Sequence, residues 1–296
     1  MLGAVAGDII ASPYMKNNAQ SQDFRMFTNV RGWSSGEEVT FFPRVTGATV
    51  MTLAVARWLA TDPEHRKASF INIMTDLYSK HPECEFSPIM NMWCKSEYFQ
   101  PFRRDSNDVI ARISPIALKI DDLNEAIKLA KATTEFTHKD PDSIKGAEVF
   151  TDALWKAARG RSKEDIRFAV ENDYGIDLNI PEQDLKSILM GAVKEDVIIN
   201  GEPTGEVYYR DTGKIDYSTM NTLTAALKCF LEGNSFEDIV RRAVALGGDS
   251  TTIASVAGAL AQAMHKDMPQ EILSQCEKNI PSDLKNIMDS FEMSLS

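Results

Sequence analysis

Residues 246–265 read LGGDSTTIASVAGALAQAMH, from Leu246 to His265. Within them Ile253, Val256, Ala257, Leu260, Ala261 and Met264 fall at i, i+3, i+4, i+7, i+8 and i+11, the spacing of one helix face. The small residues among them (Ala254, Ala257, Gly258, Ala259, Ala261 and Ala263) leave room for a neighbouring backbone to come close. The pattern predicts a buried helix over 250–265, with Gly247, Gly248 and Asp249 at its N-terminal mouth.

Working outward, residues 50–60 read VMTLAVARWLA, with only Thr52 and Arg57 polar. A helix that is apolar on every side is buried. Residues 2–10 form a short apolar helix interrupted by glycines and stopped by Ser12-Pro13. Further helices are predicted over 63–80, 107–119, 122–134, 142–159, 222–232, 236–245, 270–275 and 282–291. Residues 14–40 read as a long loop, and loops of that length are often functional. Residues 81–105 are irregular and aromatic-rich, with Trp93, Tyr98, Phe99 and Phe102. The 165–210 stretch is the least patterned, and 195–209 fits a short hairpin. No proline- or serine-rich linker and no fixed-period repeat divides the chain, so the expected architecture is one all-α domain over 1–296, a helical bundle with a central cleft.

Composition narrows the function. Hydrophobic residues make up 43% of the chain, enough for a sizeable core and too many for disorder. The formal charge of −11 argues against nucleic-acid binding through a basic field. No apolar run reaches the roughly 18 residues that span a bilayer, and residues 1–11 lack a signal peptide's basic leader. Cys84, Cys94, Cys229 and Cys276 form no CxxC pair and are joined by no His-x-x-x-His, which argues against a zinc site. A cytoplasmic protein with thiols packed in or near its core is the expectation.

Two segments carry candidate chemistry. One is Val45-Thr46-Gly47-Ala48-Thr49, at the mouth of the 50–60 helix; the other is Leu246–Thr252. Each sets small polar side chains at a buried helix N-terminus, where free N–H groups and the helix dipole favour anions. Their oxygens could coordinate a hard cation. They could equally do no more than cap: Gly247-Gly248 can stop the preceding helix, and Asp249 and Thr46 are ordinary N-cap residues.

In order along the chain, six pieces resemble the ADP-ribosylglycohydrolase family, which includes dinitrogenase reductase-activating glycohydrolases and eye-lens crystallins. GAVAGDIIASPY, at 3–14, resembles that family's GAIAGDIIGSPYE opening. Thr46 stands where the family has Thr-Asp-Asp-Thr before a buried helix. Gly247–Thr252 is similar to Gly-Gly-Asp-Ser-Asp-Thr. Asn107–Pro115 resembles Asn-Gly-Ser-Ala-Met-Arg-x-x-Pro, Thr137-His138 with Lys145-Gly146-Ala147 resembles another element, and Asn221–Leu227 resembles one containing Thr-Val-Pro-Ala-Ala-Leu. The resemblance implies an all-helical fold whose cleft holds two magnesium or manganese ions, and cleavage of the bond between ADP-ribose and a modified side chain. It also implies that residues 107–112, with Asn107, Asp108, Val109 and Arg112, face the ligand's diphosphate, and that His138 lines the cleft.

Most of the implied metal acids are absent. Gly47 and Ala48 stand at the two aspartates of Thr-Asp-Asp-Thr, Thr251 at the second aspartate of Asp-x-Asp-Thr, and Met15 at the glutamate after Ser-Pro-Tyr. Thr46, Asp249 and Thr252 remain, with Asp8 as a further, structural candidate. Each carboxylate–cation pair ~4 Å apart at an effective dielectric of ~20 is worth on the order of 4 kcal/mol. Losing three or more implies that the ion pair is gone or reduced to one weak ion. Asp108 replaces a glycine and Val109 a serine, which also weakens the implied diphosphate grip. Three readings stand side by side. The first is a pseudoenzyme that binds ADP-ribose or a related nucleotide. The second is a hydrolase using one ion or none, with Asp249 catalytic. The third is a crystallin-like interaction protein, with 14–40 and 93–102 as contact surfaces and a protein partner of unknown kind.

Overall fold

A computed structural model describes residues 1–15, 19, 21–34, 36–199 and 202–295; of residues 198–199 and 202–208 it describes the backbone alone. Among them the helices α1 (Leu2–Ala11), α2 (Gly47–Thr61), α3 (Lys67–Lys80), α4 (Pro88–Cys94), α5 (Asp108–Arg112), α6 (Ser114–Lys119), α7 (Leu123–Glu135) and α8 (Pro141–Ala158) fill the first half. The second half holds α9 (Lys163–Phe168), α10 (Glu182–Leu189), α11 (Thr219–Glu232), α12 (Phe236–Leu246), α13 (Ser250–His265), α14 (Gln270–Lys278) and α15 (Ser282–Met293). The all-α expectation holds, with two peripheral antiparallel hairpins added. These are β1 (Val30–Ser34) with β2 (Glu37–Phe41), and β3 (Ala192–Ile199) with β4 (Glu202–Asp211). Among the described residues no helix is long and apolar enough to cross a membrane.

The seam between α1 and α13 organises the core. A Cβ at Gly3 would run into the Gly258 carbonyl, one at Gly7 into the Ala254 carbonyl, and one at Gly258 into the Gly3 carbonyl. The two helices therefore pack backbone against backbone, and only glycine fits at those three points. The stripe Ile253, Val256, Ala257, Leu260 and Ala261 is buried as its spacing predicts. Helix α2 is buried along most of its length. Trp58 stacks edge-on to Phe70 at 5.6 Å and to Phe136 at 6.2 Å, tying α2 to α3 and the end of α7. The same hydrophobic core takes residues from Met1 to Phe291.

Several boundaries differ from the sequence expectation, each for a local reason. The 14–40 stretch is not simply a loop, because Val30–Ser34 pairs antiparallel with Glu37–Phe41, and Gly36, at φ 85°, leads into the second strand. The 63–80 helix starts only at Lys67. Ahead of it the Asp62 carboxylate accepts the Glu64 and Arg66 backbone N–H groups at 3.1 Å each, which holds a turn. The 107–119 helix breaks at Ile113, because Pro115 has no N–H to continue the ladder and α6 restarts there with Ser114-Pro115 in its first turn. Helix α11 starts at Thr219 rather than 222, since the remote Asp105 carboxylate accepts the Thr219 N–H at 3.0 Å. The 81–105 stretch contains α4, capped by Ser87. The hairpin expected over 195–209 is present and longer, with a bulge between Asp196 and Ile198; its turn at 200–201 lies outside the described residues.

Candidate functional site

The N-termini of α2, α5 and α13 meet at a cleft of about 410 Å³. That is the size of small-ligand pockets. Its floor carries Thr46, Gly47 and Ala48 from α2, Asn107 and Asp108 from α5, and Asp249, Thr251 and Thr252 from α13; Met15 and Tyr217 stand at its edge. One wall is the segment Glu85–Pro88.

Asp8 anchors the α2 side from below. It is fully buried on α1, and its carboxylate accepts from the Thr46 N–H at 2.9 Å, the Thr46 hydroxyl at 2.7 Å and the Thr49 hydroxyl. Burial pushes its carboxyl up to about 6, while the hydroxyl donors Thr49 and Thr46 pull it down. Thr46 in turn accepts the Ala48 N–H at 3.2 Å, so it caps the helix as one reading of the sequence expects.

The α13 side departs from ordinary capping. Asp249 sits at the N-cap position, but its side chain accepts no helix N–H. Instead its two oxygens accept from Asn107 Nδ2 at 2.8 Å and from the Thr251 hydroxyl at 2.9 Å. Gly247 and Gly248, with φ of 80° and 67°, make the turn that aims it inward; side chains rarely adopt such angles. Asn107 also donates to the Thr222 hydroxyl at 3.0 Å, so one amide joins α5, α11 and α13.

Asp108 is buried in the cleft floor and accepts from the Ser87 and Ser106 hydroxyls, each at 2.6 Å. Burial raises its carboxyl above the usual range and Asp249 adds to the rise, against the pull of Ser106, Ser87 and Arg112. Glu85 is a third carboxylate on the lining, paired with Arg44 at 3.3 Å. Among the described residues no lysine, arginine or histidine lines the cleft.

The remaining residues of the expected set lie behind the wall. Val109, Arg112 and His138 are fully buried and none lines the cleft. Arg112 donates to the Thr137 hydroxyl at 2.6 Å and the Thr133 carbonyl at 3.3 Å. His138 Nδ1 shares a 2.7 Å hydrogen bond with the same Thr137 hydroxyl. Burial, with Arg112 next to it, lowers the imidazole to about 3, so it is neutral. The structure therefore brings Asn107, Asp108, Asp249, Thr46 and Thr252 to one cavity, and makes Arg112 and His138 a support for α5.

The donor set does not fit a pair of divalent ions. Met15, Gly47, Ala48 and Thr251 offer at most one hydroxyl. Asp8 is consumed by threonines, and Asp249 already accepts on both oxygens. Space is closed at Gly47 as well. A Cβ at Gly47 would lie 2.8 Å from Phe86 Cδ1 and 2.9 Å from both Glu85 O and Phe86 Cα. The Gly47 N–H donates to Glu85 O at 3.3 Å, holding that backbone over the spot. Of the described residues, the groups of three or more His, Cys, Asp or Glu with ligand atoms within 4.8 Å are His81/Glu83/Cys84 and Asp105/Asp140/Asp142, and neither lines this cleft.

Sequence reading missed the wall. Nothing in the 81–105 stretch announces that Glu85 and Phe86 lie over Gly47, or that Ser87 and Ser106 hold Asp108. Tyr217 was likewise unmarked; it is half exposed at the rim.

A family model for ADP-ribosylglycohydrolases matches residues 1–295. A solved structure titled ADP-ribosylglycohydrolase-related protein complex is similar in fold, with a TM-score of 0.67 and 20% sequence identity over 99% of this chain and 95% of that one.

Proposed function

Because the chain belongs to the ADP-ribosylglycohydrolase family, whose members typically use divalent metals, we propose that it is a ligand-binding member in which metal-dependent hydrolysis is lost or strongly reduced. The observation that carries this reading is the backbone of Glu85–Phe86 over Gly47, where a carboxylate could be seated only if the wall moved.

The ligand proposed is ADP-ribose or a related nucleotide. The Thr252 hydroxyl and the Tyr217 phenol on the lining suit a ribose, and Thr251, whose proton goes to Asp249, can still accept from one. Asp108 and Asp249 oppose a diphosphate placed beside them, so the phosphates of such a ligand would lie away from the floor. These features support binding of the sugar end with modest affinity.

A calorimetric titration with ADP-ribose, with and without magnesium, tests this alongside a hydrolysis assay on an ADP-ribosylated peptide. Magnesium-independent binding without turnover is expected. Turnover that requires magnesium would overturn the reading.

One observation favours a second reading, hydrolysis without a metal. Glycoside cleavage needs an acid that holds its proton near neutral pH and a second carboxylate nearby. Asp108, raised by burial, is the candidate acid, and Asp249 the candidate partner. Turnover in chelator that Asp108→Asn and Asp249→Ala each abolish would support it; turnover indifferent to both changes would remove it.

A further inference from the structure

A second cluster of donors lies on the turn that follows α3, outside the cleft floor. The sequence there is His81-Pro82-Glu83-Cys84. The Cys84 N–H donates to the His81 carbonyl at 3.1 Å, which closes the turn and gathers its side chains on one side. His81 Nδ1 lies 3.5 Å from a Glu83 carboxylate oxygen. One ring nitrogen of His81, one carboxylate oxygen of Glu83 and Cys84 Sγ all lie within 4.8 Å of one another.

We propose that His81, Glu83 and Cys84 form a zinc site. Tetrahedral zinc, with bonds of ~2.0–2.1 Å to nitrogen and oxygen, sets those two atoms ~3.3 Å apart. The separation present is 3.5 Å, so the pair needs almost no movement. A second observation points the same way. His81 Nε2 lies 2.9 Å from the Asp283 carboxylate of α15. A carboxylate on the outer nitrogen fixes the tautomer that leaves Nδ1 free to ligate, and metal-bound histidines are held in this manner. His81 and Cys84 are buried, whereas the Glu83 side chain is exposed and gives an entry path.

The charges balance. Cys84 is a thiol in the free protein, with its Sγ 3.6 Å from the Val45 carbonyl. On binding it releases one proton to solvent, and the thiolate and the Glu83 carboxylate then neutralise the ion's two charges. A water fills the fourth position. The carboxylates of Asp8 and Asp283 and the Arg44 guanidinium also face Cys84. The two acids help the cation and the arginine opposes it. The set carries no paired-cysteine signal in the sequence, because its donors are three different residue types within four positions.

The test is a zinc titration of the full chain against a chromogenic chelator, repeated with cobalt. One ion per chain is expected, with a near-ultraviolet thiolate-to-cobalt band. Cys84→Ser should abolish the band and weaken zinc at least tenfold. Asp283→Asn should weaken it roughly 10- to 100-fold with the band retained. Glu83→Gln, at an exposed position, covers the case in which the Cys84 variant does not fold, and should also weaken zinc at least tenfold. Absence of the cobalt band in the wild type, a band unchanged in Cys84→Ser, or zinc affinity unchanged in Glu83→Gln overturns the proposal and leaves His81 as an imidazole between two carboxylates. No thiol lines the cleft, so the band separates this site from any ion bound there.

Discussion

The α1–α13 seam and the α2 mouth of the cleft both depend on glycines with no room for a side chain, yet they differ in what fills the room. At Gly3, Gly7 and Gly258 the obstacle is the backbone of the opposing helix. At Gly47 it is the Glu85–Phe86 wall, a segment between α3 and α4. Helices locked in a core cannot move apart without losing their whole contact, whereas a connecting segment can shift. The seam is thus a fixed scaffold. The mouth is a place where side chains could change while the fold persisted, because Thr46 and Asp8 still hold the start of α2.

The largest effect should come at the seam. Gly7→Val is expected to cost more than about 4 kcal/mol and leave little folded protein, because its side chain would enter the Ala254 carbonyl. Urea unfolding and soluble yield check this; a wild-type midpoint would mean that the helices are not in backbone contact.

Asp8 links the two regions and should produce a pH effect of intermediate size. Its folded carboxyl stands at about 6, above the ordinary value of 3.8. The folded state therefore keeps a proton that the unfolded chain has released. That contribution is fully present below about pH 3.8 and is lost as pH rises through about 6. A rise of about two units corresponds to about 3 kcal/mol. Asp8→Asn should remove this part of the pH dependence, so the stability difference between wild type and variant should change between pH 4 and 7. A difference that is flat across that window would show that Asp8 ionises in the fold as it does in water.

The smallest effect is expected at the mouth. Gly47→Ala should cost about 2 kcal/mol, less than Gly7→Val, because the Glu85–Phe86 backbone must shift while alanine's helix preference offsets part of the clash. A cost equal to that at Gly7 would erase the distinction between scaffold and mouth. A gain in stability would show that Glu85–Phe86 does not press on α2.

Much of the scaffold was legible because its signals are local. The Ile253–Met264 stripe, the all-round apolar 50–60 run and the small residues of α13 each follow from helical periodicity. The β1–β2 hairpin was missed although Ser35-Gly36 is a turn signal, because its flanking strands carry little apolar alternation and Trp33 points to solvent. The site was legible in part. Thr46, Asn107, Asp108, Asp249 and Thr252 could be marked from their motifs, but not their partners, since Asn107 reaches Asp249 across 142 positions of chain. Arg112 and His138, marked as ligand contacts, lie behind the cleft, where Arg112 at the end of α5 and His138 just after α7 both bond the Thr137 hydroxyl.

The sequence by itself determined the helical bundle, the family and the non-acidic residues at positions 15, 47, 48 and 251, because periodicity and residue identity are properties of the chain read in order. Only the tertiary structure decided that Glu85–Phe86 occupies the space over Gly47, that Asp249 turns away from capping, and that Asp8 is held by three hydrogen bonds at the base of α2. Those facts depend on distances between segments far apart in the chain, which packing sets and no local pattern records.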